Sequence, residues 1–114
     1  MFKGSDHEEK FNYFLIKDKT HPQDIERISM FYLFSGHDEL ADKVYYFYDF
    51  EEKMIRSEGL NETRLSSSSK SLVKLGFNLY NNYKGQSIVE LFENLDEQNR
   101  ILALNAIKMR FKMD

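Results

Sequence analysis

Cysteine and tryptophan are absent from this sequence, and proline occurs only once. Without cysteine the chain has no disulfide, no thiolate ligand for zinc and no cysteine nucleophile, which fits a reducing compartment. The opening residues, MFKGSDHEEKF, lack the apolar run of a signal peptide. No stretch approaches the roughly 20 apolar residues that a membrane span needs. We therefore expect a cytoplasmic protein with no membrane contact.

Motifs that carry catalysis or bind cofactors are also missing. The 5 glycines are scattered and form no phosphate-binding loop. His7, His21 and His37 are separated by whole predicted elements and belong to no zinc motif. Ser67 and Lys70 have the S-x-x-K spacing of some acyl-transfer enzymes, but a K-T-G element is missing and the neighbouring serines favour helix capping. We expect no enzymatic activity, no metal and no cofactor.

Neither sign of charge dominates the chain. Its 16 basic and 19 acidic residues give a net charge of −3, so no overall positive field draws the chain to a phosphate backbone. Basic side chains concentrate near the C-terminal end, at Arg100, Lys108, Arg110 and Lys112. Such residues in a last helical turn usually complement the helix dipole. Nucleic acid is therefore not the ligand that we favour.

The chain does contain enough apolar material for a core. Hydrophobic residues make up 41% of its 114 residues, and the aromatic residues include 10 Phe and 7 Tyr. This length fits one domain, residues 1–114. The segment 69–83 carries apolar residues at helical spacing on two adjoining stripes, at Leu72, Leu75, Leu79, Tyr83, Val73, Phe77 and Tyr80. We predict that this helix is central and that Gly76 marks the crossing of a neighbouring helix.

Other amphipathic segments surround this helix in the predicted fold. Ser5 and Glu8 form an S-x-x-E capping box for a helix over residues 6–17. A second helix is predicted to begin near Pro22, with Thr20 or His21 as its cap. We expect it to end at Gly36, which is well placed for the left-handed conformation.

The later segments give a third helix and two or three more. Asp38 is predicted to cap a helix that continues through VYYFYDF, although Tyr and Phe also suit a short strand. The pattern weakens from Phe50 to Leu65, which we interpret as one helical turn followed by a loop. The serine run at 66–69, a capping box at Ser87 and Glu90, and a cap at Asp96 introduce the remaining helices. The predicted fold class is all-α, with about five to six helices.

The run of aromatic residues after Val44 is the most unusual feature of the sequence. Consecutive helical positions turn by about 100°, so five aromatic side chains in six positions cannot all face one core. Exposed tyrosine is enriched at protein interfaces, and acidic residues flank this run on both sides. A second helix covering the far side is an equal alternative, whereas a base-stacking platform would need a cationic groove. The predicted partner-binding residues are Asp38, Glu39, Asp42, Tyr45, Tyr46, Tyr48, Asp49, Glu51 and Glu52.

Several segments also resemble a known group of proteins: HPQDIER, FYLFSG, YDFEEKMI, SSSKSLVKLGFNLYNNY and NAIKMRF. Over nearly its whole length the chain resembles an uncharacterised family of small proteins encoded by phages, plasmids and integrative elements of Gram-positive bacteria. The resemblance implies a genetic setting and transfers no catalytic residue. Small acidic proteins in that setting often resemble anti-defence factors, including inhibitors of CRISPR nucleases that occupy a surface normally used by nucleic acid.

Two hypotheses of function follow. The first is a non-enzymatic binding protein of a mobile element, such as an anti-CRISPR inhibitor, that presents its acidic and aromatic surface to a basic site on a host nuclease. The second is a small regulator of mobile-element transfer or transcription that contacts DNA through Arg100, Lys108 and Arg110. In both hypotheses the protein acts by contact and not by catalysis.

Overall fold

Four long helices build the core of the protein. A computed structural model describes all residues from Met1 to Asp114 and contains eight helices and one short hairpin. The elements are α1 (Ser5–Asp18), α2 (Ile25–Ser35), α3 (Asp38–Asp42), α4 (Val44–Phe47), β1 (Tyr48–Asp49), β2 (Met54–Ile55), α5 (Gly59–Glu62), α6 (Ser67–Asn81), α7 (Ile88–Glu93) and α8 (Glu97–Arg110). The predicted all-α class is confirmed, and no helix is both long enough and apolar enough to span a bilayer.

Helix α2 lies in the middle of the bundle, in contact with α1, α6 and α8. Every residue from Met30 to Ser35 is buried, because neighbouring elements cover this part of the helix on all sides. A helix that is apolar around its whole circumference is stable only inside a core. The buried apolar side chains of the protein form a single cluster, so the bundle has one core.

Helix α6 is a core helix and crosses a neighbour at Gly76 as predicted, but α2 and not α6 is the central helix of the bundle. The helix begins at Ser67 and ends at Asn81, and its buried residues include Leu72, Val73, Leu75, Phe77 and Leu79. The ring of Phe34 on α2 lies directly over Gly76. A Cβ atom at this position would be 2.6 Å from Cε1 of Phe34, so only glycine permits the contact without a shift. Gly76 therefore allows α2 and α6 to pack closely.

Three of the predicted helix caps are correct. Ser66 accepts a hydrogen bond from the backbone N–H of Ser69, and Asp96 accepts one from Asn99. The capping box of Ser87 and Glu90 is present with both of its hydrogen bonds. Each bond satisfies a donor that the first helical turn leaves free.

Three predicted helix starts or caps are wrong. Gly4 precedes α1, and Ser5 makes no capping bond. The second helix begins at Ile25 rather than near Pro22, because Asp24 is its cap and accepts a hydrogen bond from the N–H of Arg27. Asp24 also pairs with the Arg27 guanidinium, so one carboxylate holds both backbone and side chain. Asp38, predicted to cap the third helix, is instead the first residue of α3.

Gly36 ends α2 as predicted but not in the predicted conformation. Its φ is −85°, which any residue can adopt. Glycine is required here by space, because an added Cβ would collide with the side chains of Leu102 and His7. The same atom would lie 2.9 Å from the imidazole Nε2. Close packing of α1 and α8 on the end of α2 explains this glycine.

The aromatic run does not continue as one helix. Lys43 separates α3 from α4, and the backbone becomes extended at Tyr48 with φ −145° and ψ 130°. Tyr48 and Asp49 then pair in antiparallel register with Ile55 and Met54. The strand that the sequence left as an alternative is therefore correct for the end of the run.

Candidate protein-binding surface

The hairpin is anchored to the core by the side chain of Tyr48. Its ring is 0% exposed, and its hydroxyl donates a 2.6 Å hydrogen bond to Oδ1 of Asp18. The same hydroxyl accepts a 3.1 Å bond from Nε of Arg27. Burial, followed by the bond to Asp18, raises the pKa of Tyr48. Tyr48 thus cannot contact a partner in the folded chain, and its place in the predicted surface is wrong.

Arg27 ties the other end of the hairpin to α2. Its Nη2 donates a 2.7 Å bond to the carbonyl of Lys53, and its Nη1 lies 2.6 Å from Oδ2 of Asp24. The guanidinium also stacks over the ring of Tyr80, 5.2 Å from its centroid. Burial alone would lower the pKa of Arg27, but the bonds to Asp24 and Tyr48 raise it. Because each buried polar group here has a partner, the network fixes the position of the hairpin.

Tyr45 and Tyr46 remain at the surface, as the helical geometry requires. Their exposed fractions are 53% and 41%. Lys17 extends from α1 over this region, and its ammonium lies 5.6 Å from the ring centroids of both Tyr45 and Phe50. Lys17, Tyr45 and Phe50 line an open groove of about 480 Å³, together with Asp49, Glu51 and Arg56. The sequence does not predict that Lys17 and Arg56 line this groove. For Lys17, its only signal is the seven-residue spacing from Lys10, which places the two lysines on the same face of α1.

Negative charge is concentrated around these tyrosines. Residues 38–62 contain eight carboxylates and three basic side chains, a net charge of −5, whereas the rest of the chain is +2 by difference from the total of −3. Lys43 pairs with Glu39, Arg56 pairs with Glu58 and Glu62, and Lys53 points at the carbonyl of Lys19. No ion pair involves Asp42, Glu51 or Glu52, which are exposed. The field of this region is therefore negative towards solvent.

The other predicted carboxylates hold the surface in shape. Asp38 lies 3.3 Å from Nζ of Lys10 on α1. Glu39 accepts a 2.6 Å bond from Oγ of Ser69 on α6, and this bond is the main reason that its pKa is lowered. Asp49 accepts the backbone N–H groups of residues 51 and 52 at 2.9 and 3.0 Å, which closes the hairpin loop. These three residues position the surface, while Asp42, Glu51 and Glu52 are available to a partner.

We call the exposed set Asp42, Tyr45, Tyr46, Glu51 and Glu52 the acidic aromatic surface. Tyr45 and Glu51 line one groove, Asp42 and Tyr46 belong to the adjoining α3 and α4, and the Tyr48 network anchors the hairpin that carries Glu51 and Glu52. Large exposed rings with little rotamer freedom in a region of net negative charge are typical of protein interfaces, and Lys17 places one cation over the ring of Tyr45.

The basic residues near the C-terminal end are partly committed to structure. Nε of Arg110 donates a 2.8 Å bond to the carbonyl of Leu79, and its Nη2 lies 3.8 Å from Glu26. Nε of Arg100 donates to the carbonyl of Phe92 at 3.1 Å. Two of the three residues proposed to contact DNA thus join helices to one another.

His7 lies between the N-terminal residues and α2. Its Nδ1 accepts the N–H of Lys3 at 3.1 Å and its Nε2 lies 2.9 Å from the carbonyl of Tyr32, which requires the neutral Nε2–H tautomer. Burial lowers the pKa of His7 below 6.5. No group of three or more histidine and carboxylate side chains is placed to hold a metal ion.

The fold and its exposed chemistry define a small all-α protein with a negatively charged, tyrosine-bearing surface. The sequence profile of DUF6075, described as a family of unknown function, matches residues 1–114. The chain belongs to this family. No curated protein and no solved structure matches it.

Proposed function

We propose that this protein is a non-enzymatic binding protein that uses the acidic aromatic surface to cover a basic site on a partner protein. The single observation that carries the proposal is the coincidence of exposed Tyr45 and Tyr46 with three carboxylates that no basic side chain neutralises. The tyrosines supply contact area, and the charges supply steering and selection against acidic partners.

The rigidity of the hairpin supports a recognition role. Buried Tyr48 and Asp18 and half-buried Arg27 form a hydrogen-bonded network, so the surface does not have to become ordered when a partner binds. A surface that is already ordered loses less conformational entropy on binding than a flexible loop. This arrangement favours tight binding from a small area.

A nuclease that binds nucleic acid through a basic cleft is the partner class that fits best. The sequence resemblance to proteins of phages and mobile elements of Gram-positive bacteria supports a role in the cytoplasm of such a host, against its defence. In this version of the proposal the protein is an anti-CRISPR inhibitor, and its carboxylates take the place of phosphates in the nuclease. The analogy to other anti-defence proteins is one of size and charge.

The test is a DNA cleavage assay with guide-loaded CRISPR nucleases from Gram-positive bacteria. We expect the wild type to reduce cleavage by one of them, and the inhibition to weaken as salt rises. The variant Tyr45→Ala/Tyr46→Ala should lose inhibition. The variant Asp42→Lys/Glu51→Lys/Glu52→Lys should lose it as well, because its charges would face a basic site.

A matched control carries the same change of charge elsewhere. Glu8→Lys/Glu9→Lys/Glu93→Lys alters three exposed carboxylates that take part in no ion pair, and it should inhibit like the wild type. Equal inhibition by the surface variants and this control would contradict the proposed surface. Binding of the wild type to duplex DNA that is lost in Arg100→Ala/Lys108→Ala would instead support the regulator hypothesis.

A further inference from the structure

Helix α8 presents a second surface that the proposed function does not use. One side of α8 is buried in the core through Leu102, Ala103 and Ala106. On the other side Ile101 and Leu104 are 54% and 48% exposed. Two large aliphatic side chains that lie one turn apart and are open to solvent need an explanation. Surface helices of globular proteins usually carry polar residues on the face opposite the core.

These two residues belong to a regular stripe along the helix. Its members follow a spacing of four, three, four and three residues and fall within an arc of about 80° on an ideal helix. We call it the outward stripe of α8, and it consists of Glu97, Ile101, Leu104, Lys108 and Phe111. Alternating spacings of three and four are the pattern by which one helix packs along another.

The charged residues of the stripe have no partner within the chain. Neither Glu97 nor Lys108 takes part in an ion pair. Glu97 lies four residues before Ile101, and Lys108 lies four residues after Leu104. The stripe is therefore acidic at its start and basic towards its end. Such a stripe is complementary to itself when it is reversed.

We propose that the protein forms a symmetric dimer in which the outward stripes of two copies pack antiparallel. When Ile101 of one copy faces Leu104 of the other, the two-fold axis also brings Glu97 opposite Lys108 of the second copy. Every layer then pairs unlike positions of the heptad, as antiparallel helix pairs require. The register produces two aliphatic layers in the middle and one ion pair at each end.

Further exposed apolar residues extend this contact beyond the helix itself. Met1 lines a groove together with Ile101 on one side of the stripe. Ile88 of α7 lines another groove with Phe111 on the other side. All four side chains are exposed in the single chain. A second copy would therefore cover apolar surface on both flanks of α8. This adds contact area to the small area that two paired helices bury by themselves.

The oligomeric state is measured by light scattering and sedimentation over a series of protein concentrations. We expect a mass twice the 13.6 kDa of the chain at the higher concentrations. Ile101→Glu/Leu104→Glu should be monomeric throughout. Because both positions face solvent in the single chain, circular dichroism should show that this variant stays folded.

Charge reversal tests the register. Glu97→Lys places lysine opposite Lys108 of the second copy twice and should weaken the dimer, whereas Glu97→Lys/Lys108→Glu restores both pairs and should recover it. Glu9→Lys on α1 has the same change of charge and should leave the dimer unaltered. A single variant that dimerises as well as the double variant would overturn the proposed pairing.

The absence of cysteine permits a direct crosslinking test. Glu97→Cys/Lys108→Cys should form a covalent dimer on mild oxidation. Each single cysteine variant should not, because like positions are about 16 Å apart along the axis in this register. A wild type that is monomeric at every concentration, or crosslinking by the single variants, would overturn the proposal. Loss of the dimer and loss of partner binding involve different residues, so the two proposals can fail separately.

Discussion

Helix α2 contacts both α6 and the hairpin, and different interactions stabilise these two contacts. At the crossing with α6, Phe34 packs on Gly76 through apolar contact alone. At the hairpin, the buried side chains of Tyr48 and Asp18 and the half-buried guanidinium of Arg27 form hydrogen bonds. Apolar contacts fit many neighbours of similar volume, whereas a buried polar network fits only one arrangement. We infer that the crossing supplies stability and that the hairpin supplies a defined surface geometry.

Removal of the ring at the crossing should have the largest effect. Phe34→Ala deletes a side chain that is completely buried and leaves a cavity between α2 and α6. We expect a loss of about 3–5 kcal/mol in the free energy of unfolding. Urea denaturation followed by circular dichroism measures it. A loss below about 1 kcal/mol would show that the crossing is not the main apolar contact.

The tight fit at the same crossing gives a second prediction. Gly76→Ala should destabilise the wild type by about 1–3 kcal/mol, because its methyl group would collide with the Phe34 ring. In the Phe34→Ala background the same substitution should be neutral or stabilising, since alanine favours a helix by about 1 kcal/mol over glycine. Denaturation of the four proteins gives the coupling energy. Additive effects would mean that the two residues do not press on each other.

Loss of one hydroxyl should separate the hairpin from the core. Tyr48→Phe keeps the ring but leaves Asp18 and Arg27 each without one partner, at a cost of about 1–3 kcal/mol. Hydrogen exchange should accelerate in residues 48–55 more than in α6. Tyr45→Phe, at an exposed ring, is the control and should change neither quantity. Uniform acceleration over the whole chain would contradict a local role for the network.

The pH dependence probes a contact that combines both kinds of interaction. His7 packs its ring against Phe2 and Tyr32 and also makes two hydrogen bonds that need its neutral form. Because its pKa is lowered in the folded state, the unfolded chain binds more protons once the pH falls below 6.5. Stability should therefore be constant above that pH and decline below it.

Thermal denaturation between pH 5 and pH 8 measures this decline. Burial lowers the pKa of His37 in the same direction, so the variant His7→Gln should reduce the slope and not abolish it. An unchanged slope in His7→Gln would assign the dependence to His37 and the carboxylates.

The helices could be predicted because their signals are local. Leu72, Leu75 and Leu79 repeat with the helical period, and Ser87 and Glu90 carry their capping box within four residues. Gly76 was predicted to lie at a crossing, but the sequence could not identify Phe34 as its neighbour. The start of α2 is predicted wrongly because Asp24, and not Thr20 or His21, caps this helix.

The hairpin could not be predicted because its partners are distant in sequence. Tyr48 bonds to Asp18, 30 residues away, and this contact decides that its side chain points inwards. Tyr45 and Tyr46 belong to the same aromatic run and carry no local sign that distinguishes them from Tyr48. Only the tertiary arrangement separates the anchor of the surface from the residues that it exposes.

The acidic aromatic surface is tested most directly by hydrogen–deuterium exchange of the chain alone and in complex with the nuclease that we propose as its partner. We predict that the partner slows exchange in residues 42–52 and leaves the core crossing of α2 and α6 unchanged. Unchanged exchange in residues 42–52, with protection elsewhere on the chain, would contradict the assignment of this surface as the contact site.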